Sequence, residues 1–138
     1  MLSQASAYAI GALGYVSDQA GRPTLITAAA EACNAPPAYL AKIINQLAHE
    51  KLVRTQRGAG GGVLLARPAE EITLFEVCAA LDDEVLQPRC MLGNVPCADD
   101  RACPAHRVCR RSRTQIIRFL KRTTVADIAR FEARWRSK

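Results

Sequence analysis

Leu2, Ala5, Ala9, Leu13 and Val16 recur at steps of three and four, the period of one helical face, and predict an amphipathic helix over residues 3–18. Asp18 to Pro23 interrupts the pattern with Gly21 and Pro23 and reads as a loop. A helix of small residues is expected from about Thr27 to Cys33. Asn34 then offers an N-cap for a third helix, whose first turn tolerates Pro36 and Pro37. That helix runs to about His49. Leu40, Ile43, Ile44 and Leu47 form its single apolar stripe and leave the opposite face polar.

Two helices joined by a tight turn form a helix-turn-helix, a weak signal taken alone. The next residues strengthen it. Leu52 to Arg57 reads as a strand, Gly58–Ala59–Gly60–Gly61–Gly62 as a flexible turn, and Val63 to Ala66 as a returning strand. A glycine-tipped hairpin directly after a helix-turn-helix makes a winged helix. The glycines are not a nucleotide cradle, because no Gly-Lys-Ser/Thr follows and the loop enters a strand instead of a helix.

Thr73 and Glu76 have capping-box spacing and open a helix with Leu74, Val77, Cys78 and Leu81 on one face. Residues 83–102 show no period, contain Pro88, Gly93 and Pro96, and are expected to be a loop. A long helix from about Ala105 to Arg122 carries a stripe of Ala105, Cys109, Ser112, Ile116 and Phe119, the pattern of a helix–helix seam. Thr124 with Asp127 opens a last helix, Val125 to Trp135. The fold class is therefore mainly α with a small β-hairpin. It divides into a winged helix-turn-helix (1–82), a cysteine-rich loop (83–104) and the long helix with its expected seam followed by a C-terminal helix (105–138).

The 138 residues are enough for one domain, and 49% of them are apolar. No apolar run reaches the roughly 18 residues of a membrane helix. The first stretch lacks the basic flank of a signal peptide, so the expected location is cytoplasmic, away from any membrane. The net charge of +6 is uneven: +2 over 1–66, −6 over 67–100 and +10 over 101–138. A basic balance permits nucleic-acid binding without proving it. Six cysteines in a cytoplasmic chain favour metal or redox chemistry over structural disulfides.

The polar face of the third helix is the expected DNA-reading face. Ala38, Ala41, Lys42 and Asn45 point outward, with Tyr39 beside them. Lys42 can neutralise a phosphate, Asn45 can bond a base edge and Tyr39 can donate to a phosphate oxygen. Arg54 and Arg57 place charge at the wing's base, while Gly60 and Gly61 let its backbone approach double-stranded DNA closely. A single copy supplies few cations, which favours a homodimer on a two-fold-related site.

Cys90, Cys97 and Cys103 lie in one irregular loop, and thiolates are soft ligands for iron–sulfur clusters and zinc. His106, three residues beyond Cys103, is the nearest fourth ligand; a partner subunit or an exogenous molecule could serve instead. Cys33 and Cys78 fall on apolar helix faces and Cys109 on the seam, where packing is the simpler role. His49, at a helix end, is expected to be solvated.

These features in this order resemble the Rrf-two family of winged-helix transcription regulators, which includes the iron–sulfur regulators of IscR and NsrR type. The likeness runs from Ser6–Ala7–Tyr8–Ala9 through Tyr39–Leu40 and Leu47 to Val53. Its most specific part is Arg57–Gly58–Ala59–Gly60–Gly61–Gly62, continued by Leu65–Ala66 and Glu71–Ile72–Thr73. The three-cysteine loop and Thr123–Thr124–Val125–Ala126–Asp127 complete it. The resemblance implies a homodimer built on the long helix and a cluster, 2Fe-2S or 4Fe-4S, on Cys90, Cys97 and Cys103. It implies His106 as the fourth ligand and a response to iron, nitric oxide or redox state. Ala7 stands where NsrR-like proteins carry a ligating carboxylate, and Ala38 and Ala41 stand where IscR-like proteins carry polar residues, so a different target sequence is implied. Two rivals remain at this stage. One is a winged-helix regulator whose cysteines bind zinc or switch between thiol and disulfide. The other is a small iron–sulfur electron carrier.

Overall fold

Ser3 caps the first helix, α1 (Gln4–Ser17), its hydroxyl accepting the Ser6 N–H at 3.1 Å. The computed structural model describes residues 1–93, 95–98 and 102–137. Of the expected stripe on α1, Ala9, Leu13 and Val16 are buried and Leu2 and Ala5 half-buried, while Ile10 and Ala12 join the buried face. Helix α2 (Ile26–Ala32) and helix α3 (Pro37–His49) follow, and α3 buries Leu40, Ile43, Ile44 and Leu47.

The turn between α2 and α3 differs from expectation. Asn34 does not cap α3; the N-cap is Pro36, with no side-chain bond. Asn34 instead adopts a left-handed backbone (φ 54°) and ends α2 in a Schellman motif. The Ala35 N–H reaches the Ala30 carbonyl at 2.8 Å and the Asn34 N–H reaches Glu31 at 3.2 Å. Lys51 (φ 64°) ends α3 in the same way, with Leu52 N–H on Leu47 at 2.9 Å. Asp82 (φ 51°) does so after the fourth helix, with Asp83 N–H on Cys78 at 3.0 Å. None of these three positions is a glycine.

Strands β1 (Val53–Gln56) and β2 (Gly62–Leu65) pair antiparallel, Val53 opposite Leu65 and Gln56 opposite Gly62. Thr24 adds a bridge to Val63, with backbone bonds of 3.0 and 2.7 Å, and so ties the wing to the segment ahead of α2. Gly62 sits at φ 151° against the Thr24 backbone, where a Cβ would collide.

Thr73 caps α4 (Leu74–Ala80) by accepting the Glu76 N–H at 3.1 Å. The expected capping box is only half made, because the Glu76 carboxylate pairs with Arg67. Irregular chain with a short 3-10 turn (Glu84–Leu86) leads to α5 (His106–Arg122) and then α6 (Val125–Arg136). Thr124 and Asp127 form a full capping box on α6. The starts of α4 and α6 are joined by a Thr73–Thr124 bridge, Leu74 N–H to Thr123 and Val125 N–H to Ile72, each at 2.9 Å. Helix α6 returns onto α1, where Gly14 leaves room for Ile128 and Ala129. The core gathers Leu13, Leu40, Ile44, Leu47, Ile72, Val77, Leu120 and Val125.

Within α5 only Leu120 is buried. Of the expected seam, Ala105 is the N-cap, Cys109 and Ile116 are half-buried, and Ser112 and Phe119 are exposed. No helix among the described residues is long and apolar enough to cross a membrane.

Candidate nucleic-acid interface and cysteine centre

Burying Leu40, Ile43, Ile44 and Leu47 turns the other side of α3 outward. Ala38, Tyr39, Lys42 and Asn45 are exposed there, and Ala41 is half-buried beside them. Tyr39 meets Tyr8 of α1 edge-to-face, with ring centroids 5.9 Å apart, so its ring is braced from behind. Gln46 also lies on α3, but its amide donates to the Ala80 carbonyl at the end of α4 at 2.9 Å. It ties α3 to the end of α4.

Arg54 projects from β1 opposite Leu64, and Arg57 follows the strand; both are exposed. Gly60 (φ 77°) and Gly61 form the wing tip, closed by the Gly61 N–H on Gly58 at 3.0 Å. Gly61 is itself buried, and a Cβ there would run into the Gln56 carbonyl. The glycine is required by the turn in addition to any close approach to DNA. Much of the C-terminal positive charge lies elsewhere, with Arg107, Arg111, Arg118 and Arg122 exposed along α5.

The part of the cysteine loop from Pro88 to Cys97 carries backbone bonds that its lack of period does not predict. An Arg89–Pro96 bridge folds it back on itself, with Cys90 N–H on Val95 at 2.9 Å and Cys97 N–H on the Pro88 carbonyl. These bonds carry Cys90 and Cys97 to opposite limbs of one turn. Cys103 stands just ahead of α5, where its carbonyl accepts the His106 N–H at 3.1 Å. Residues 94 and 99–101 of the expected loop lie outside the described residues.

The four expected ligands stand as two pairs. Cys90 Sγ and Cys103 Sγ are 3.9 Å apart, and Cys97 Sγ lies 3.0 Å from His106 Nδ1. Two sulfurs bound at about 2.3 Å to one tetrahedral ion stand about 3.8 Å apart, so the first pair has the spacing of two thiolates on one metal. A thiolate and an imidazole sharing such an ion would be about 3.6 Å apart, so the second pair is a direct hydrogen bond. Among the described residues, no group of three or more such side chains converges. The donor set suits iron–sulfur or zinc ligation in kind, and one pair suits it in spacing.

None of the six cysteines is in a disulfide. Cys78 is fully buried, and burial pushes its thiol up, opposed by a hydrogen bond from Ser6 and reinforced by Asp83. Burial also raises Cys33, whose thiol donates to the Ala30 carbonyl at 3.8 Å. Both fit a packing role. Cys109 is half-buried and His49 exposed.

Sequence reasoning missed Tyr8, Gln46, Ser3 and Asp83. Asp83 is 3% exposed and accepts the Ser3 N–H and the Val85 N–H, each at 2.9 Å, tying the entry of the cysteine segment to the start of α1. Its only signal was an acidic residue just past a helix end.

Comparison with known proteins agrees with this architecture. Residues 2–130 match the family model described as "Rrf2: Iron-dependent Transcriptional regulator". The HTH-type transcriptional regulator IscR of Sodalis glossinidius is 30% identical over 128 residues, covering 92% of this chain and 77% of that protein. The structure of CymR (YrzC), the global cysteine regulator of B. subtilis, superposes with a TM-score of 0.78 at 23% identity, covering 95% of this chain and 97% of that one. T. potens IscR superposes with a TM-score of 0.73 at 21% identity over 94% and 86% of the two chains.

Proposed function

Because the chain belongs to the Rrf2 family of transcriptional regulators, and is not an enzyme, we propose that it binds operator DNA as a homodimer and senses iron, redox state or nitric oxide through an iron–sulfur cluster. Cys90, Cys97 and Cys103 are the thiolate ligands and His106 the fourth. The observation that carries this reading is the 3.9 Å separation of Cys90 and Cys103, a ligand-pair spacing inside a regulator's fold. Such a cluster supplies a redox-active centre whose potential follows from its ligands and surroundings.

The chain's own residues do the rest. The folded-back loop presents Cys90 and Cys97, and the end of α4 joins that loop to the reading helix. Gln46 on α3 grips Ala80, three residues before Asp83, and Asp83 grips Ser3. A change in the loop therefore reaches α3 through one hydrogen bond and α1 through another. A coupling of about 1–3 kcal/mol, roughly 5- to 150-fold in DNA affinity, is the ordinary scale of such a switch.

On DNA, α3 enters the major groove, where Lys42 and Tyr39 meet phosphate and Asn45 a base edge, while Arg54, Arg57, Gly60 and Gly61 bring the wing to the backbone. The second copy docks on α5, where Val108 is 62% and Phe119 45% exposed. The protein works in the cytoplasm with the DNA it reads.

Anaerobic purification, a visible spectrum and iron and sulfide analysis test the cluster, and Mössbauer spectra separate two irons from four. A coloured protein with stoichiometric iron and sulfide is expected. A colourless protein with stoichiometric zinc would replace the cluster by a structural metal. Absence of salt-dependent binding to any promoter fragment would point instead to an electron carrier.

A further inference from the structure

The sulfurs of Cys90 and Cys103 are already in contact, while Cys97 turns its sulfur to His106. A disulfide needs an S–S distance of about 2.05 Å, so side-chain rotation and a small shift of the loop must bring the first pair closer. Among the described residues between 91 and 102, none belongs to a helix or strand that would resist the shift. The two thiols also differ in access: Cys90 is 8% exposed, whereas Cys103 is only half-buried. A small reagent in solution meets Cys103 first.

We propose that Cys90 and Cys103 form a reversible disulfide by exchange with a low-molecular-weight disulfide, and that this oxidation closes the metal site. The inference rests on the same residues as the proposed function but does not require the cluster to be the physiological cofactor. In the first step the Cys103 thiolate attacks one sulfur of the small disulfide, forms a mixed disulfide and releases one small thiolate. In the second step the Cys90 thiolate attacks Cys103 Sγ across the short gap, forms the internal bond and releases the second small thiolate. The protein loses two electrons and two protons, and the small disulfide gains them as two thiols. The pair that had metal-ligand spacing is thereby consumed, leaving Cys97 and His106 as two donors, too few for a tetrahedral site. A dithiol reductant reverses both steps.

The test uses the full chain, stripped of metal by a chelator under reductant and desalted anaerobically. Titration with oxidised glutathione is followed by alkylation and peptide mapping. The expected product has lost the mass of two hydrogens and joins the Cys90 and Cys103 peptides, with Cys97 still alkylated. Cys97→Ser should keep the crosslink, and Cys90→Ser should stop at a glutathione adduct on Cys103. Cobalt(II) added to the reduced protein should give thiolate charge-transfer absorption. The oxidised protein should give less than a tenth of it until dithiothreitol restores the signal.

A crosslink that includes Cys97, an adduct that accumulates on Cys97 in the wild-type chain, or full cobalt binding after oxidation overturns the proposal. Because the crosslink is mapped in the wild-type chain, a variant that fails to fold leaves the answer intact. A chain that carries iron and sulfide as isolated but forms no such crosslink loses this inference alone. One that crosslinks as described but never takes up iron loses only the cluster reading.

Discussion

The carboxylate of Asp83 accepts the backbone N–H of Ser3 at 2.9 Å, joining residues 80 positions apart. The contact fixes the first turn of α1 to the chain that leaves α4 for the cysteines. It also gives a buried acid a complete set of donors, since Val85 and the Ser6 side chain contribute as well. Burial alone would push the Asp83 carboxyl up, but the hydrogen bonds from Ser6, Val85 and Ser3 outweigh burial and hold it below its ordinary value.

Asp83→Asn should therefore lower the free energy of unfolding by about 1–3 kcal/mol, the scale of losing a charged acceptor under buried donors. The pH dependence has a definite sign. A carboxyl whose folded value is depressed contributes fully above its unfolded value, about 3.9, and loses that contribution as the pH falls through the folded value. Urea titrations at neutral pH and below pH 4 check this. The wild-type chain should lose stability over that interval more steeply than the variant.

Lys51 holds a left-handed backbone at the end of α3, a conformation costing a non-glycine residue about 1–2 kcal/mol. Lys51→Gly relieves that cost and adds freedom to the unfolded chain, so a net stabilisation of about 0.5–1 kcal/mol is expected. The urea midpoint should rise at constant slope. Asn34→Gly should gain less, because asparagine tolerates this region better than lysine.

The apolar faces of α3 and α4, the wing and the order of elements are legible in the sequence, whereas the stripe expected on α5 leaves out Leu120, the residue that α5 buries. The helix ends are not legible. Glycine is the usual stop signal, yet Asn34, Lys51 and Asp82 occupy the left-handed position, and an asparagine at 34 has the residue type of an N-cap while it ends α2. Glu76 has the right spacing for a capping box, but spacing says nothing of Arg67, which takes its carboxylate. In the cysteine loop the ligand types were readable and their pairing was not. An irregular segment has no period from which to infer that Cys90 meets Cys103 and Cys97 meets His106. The tethers at Gln46 and Asp83 join distant parts of the chain and leave no local pattern at all.

On DNA, Lys42→Ala should weaken binding evenly across sequences and reduce the salt dependence by about one phosphate contact per reading helix. Asn45→Ala should instead cost about 1–3 kcal/mol against the preferred operator and relax the choice of base at one position of each half-site. Fluorescence anisotropy across a salt series, with an operator and its single-base variants, distinguishes the two.

For the cysteine centre, His106→Ala should shift the visible spectrum of the anaerobically isolated protein and speed iron loss to a chelator. An unchanged spectrum and an unchanged rate of loss would place the fourth ligand elsewhere.

The bridge between Thr73 and Thr124 brings the start of α4 and the start of α6 together at a single point. Everything between, from α4 through the cysteines to the end of α5, is mechanically a closed excursion with its mouth stapled shut. Both of its ends are held by the same pair of hydrogen bonds. Among the described residues, the Gln46 amide on the Ala80 carbonyl and the Asp83 carboxylate on the Ser3 N–H are side-chain links across its boundary. Its first element, α4, is buried in the core against α1 and α3, so a displacement of that short helix is felt by both.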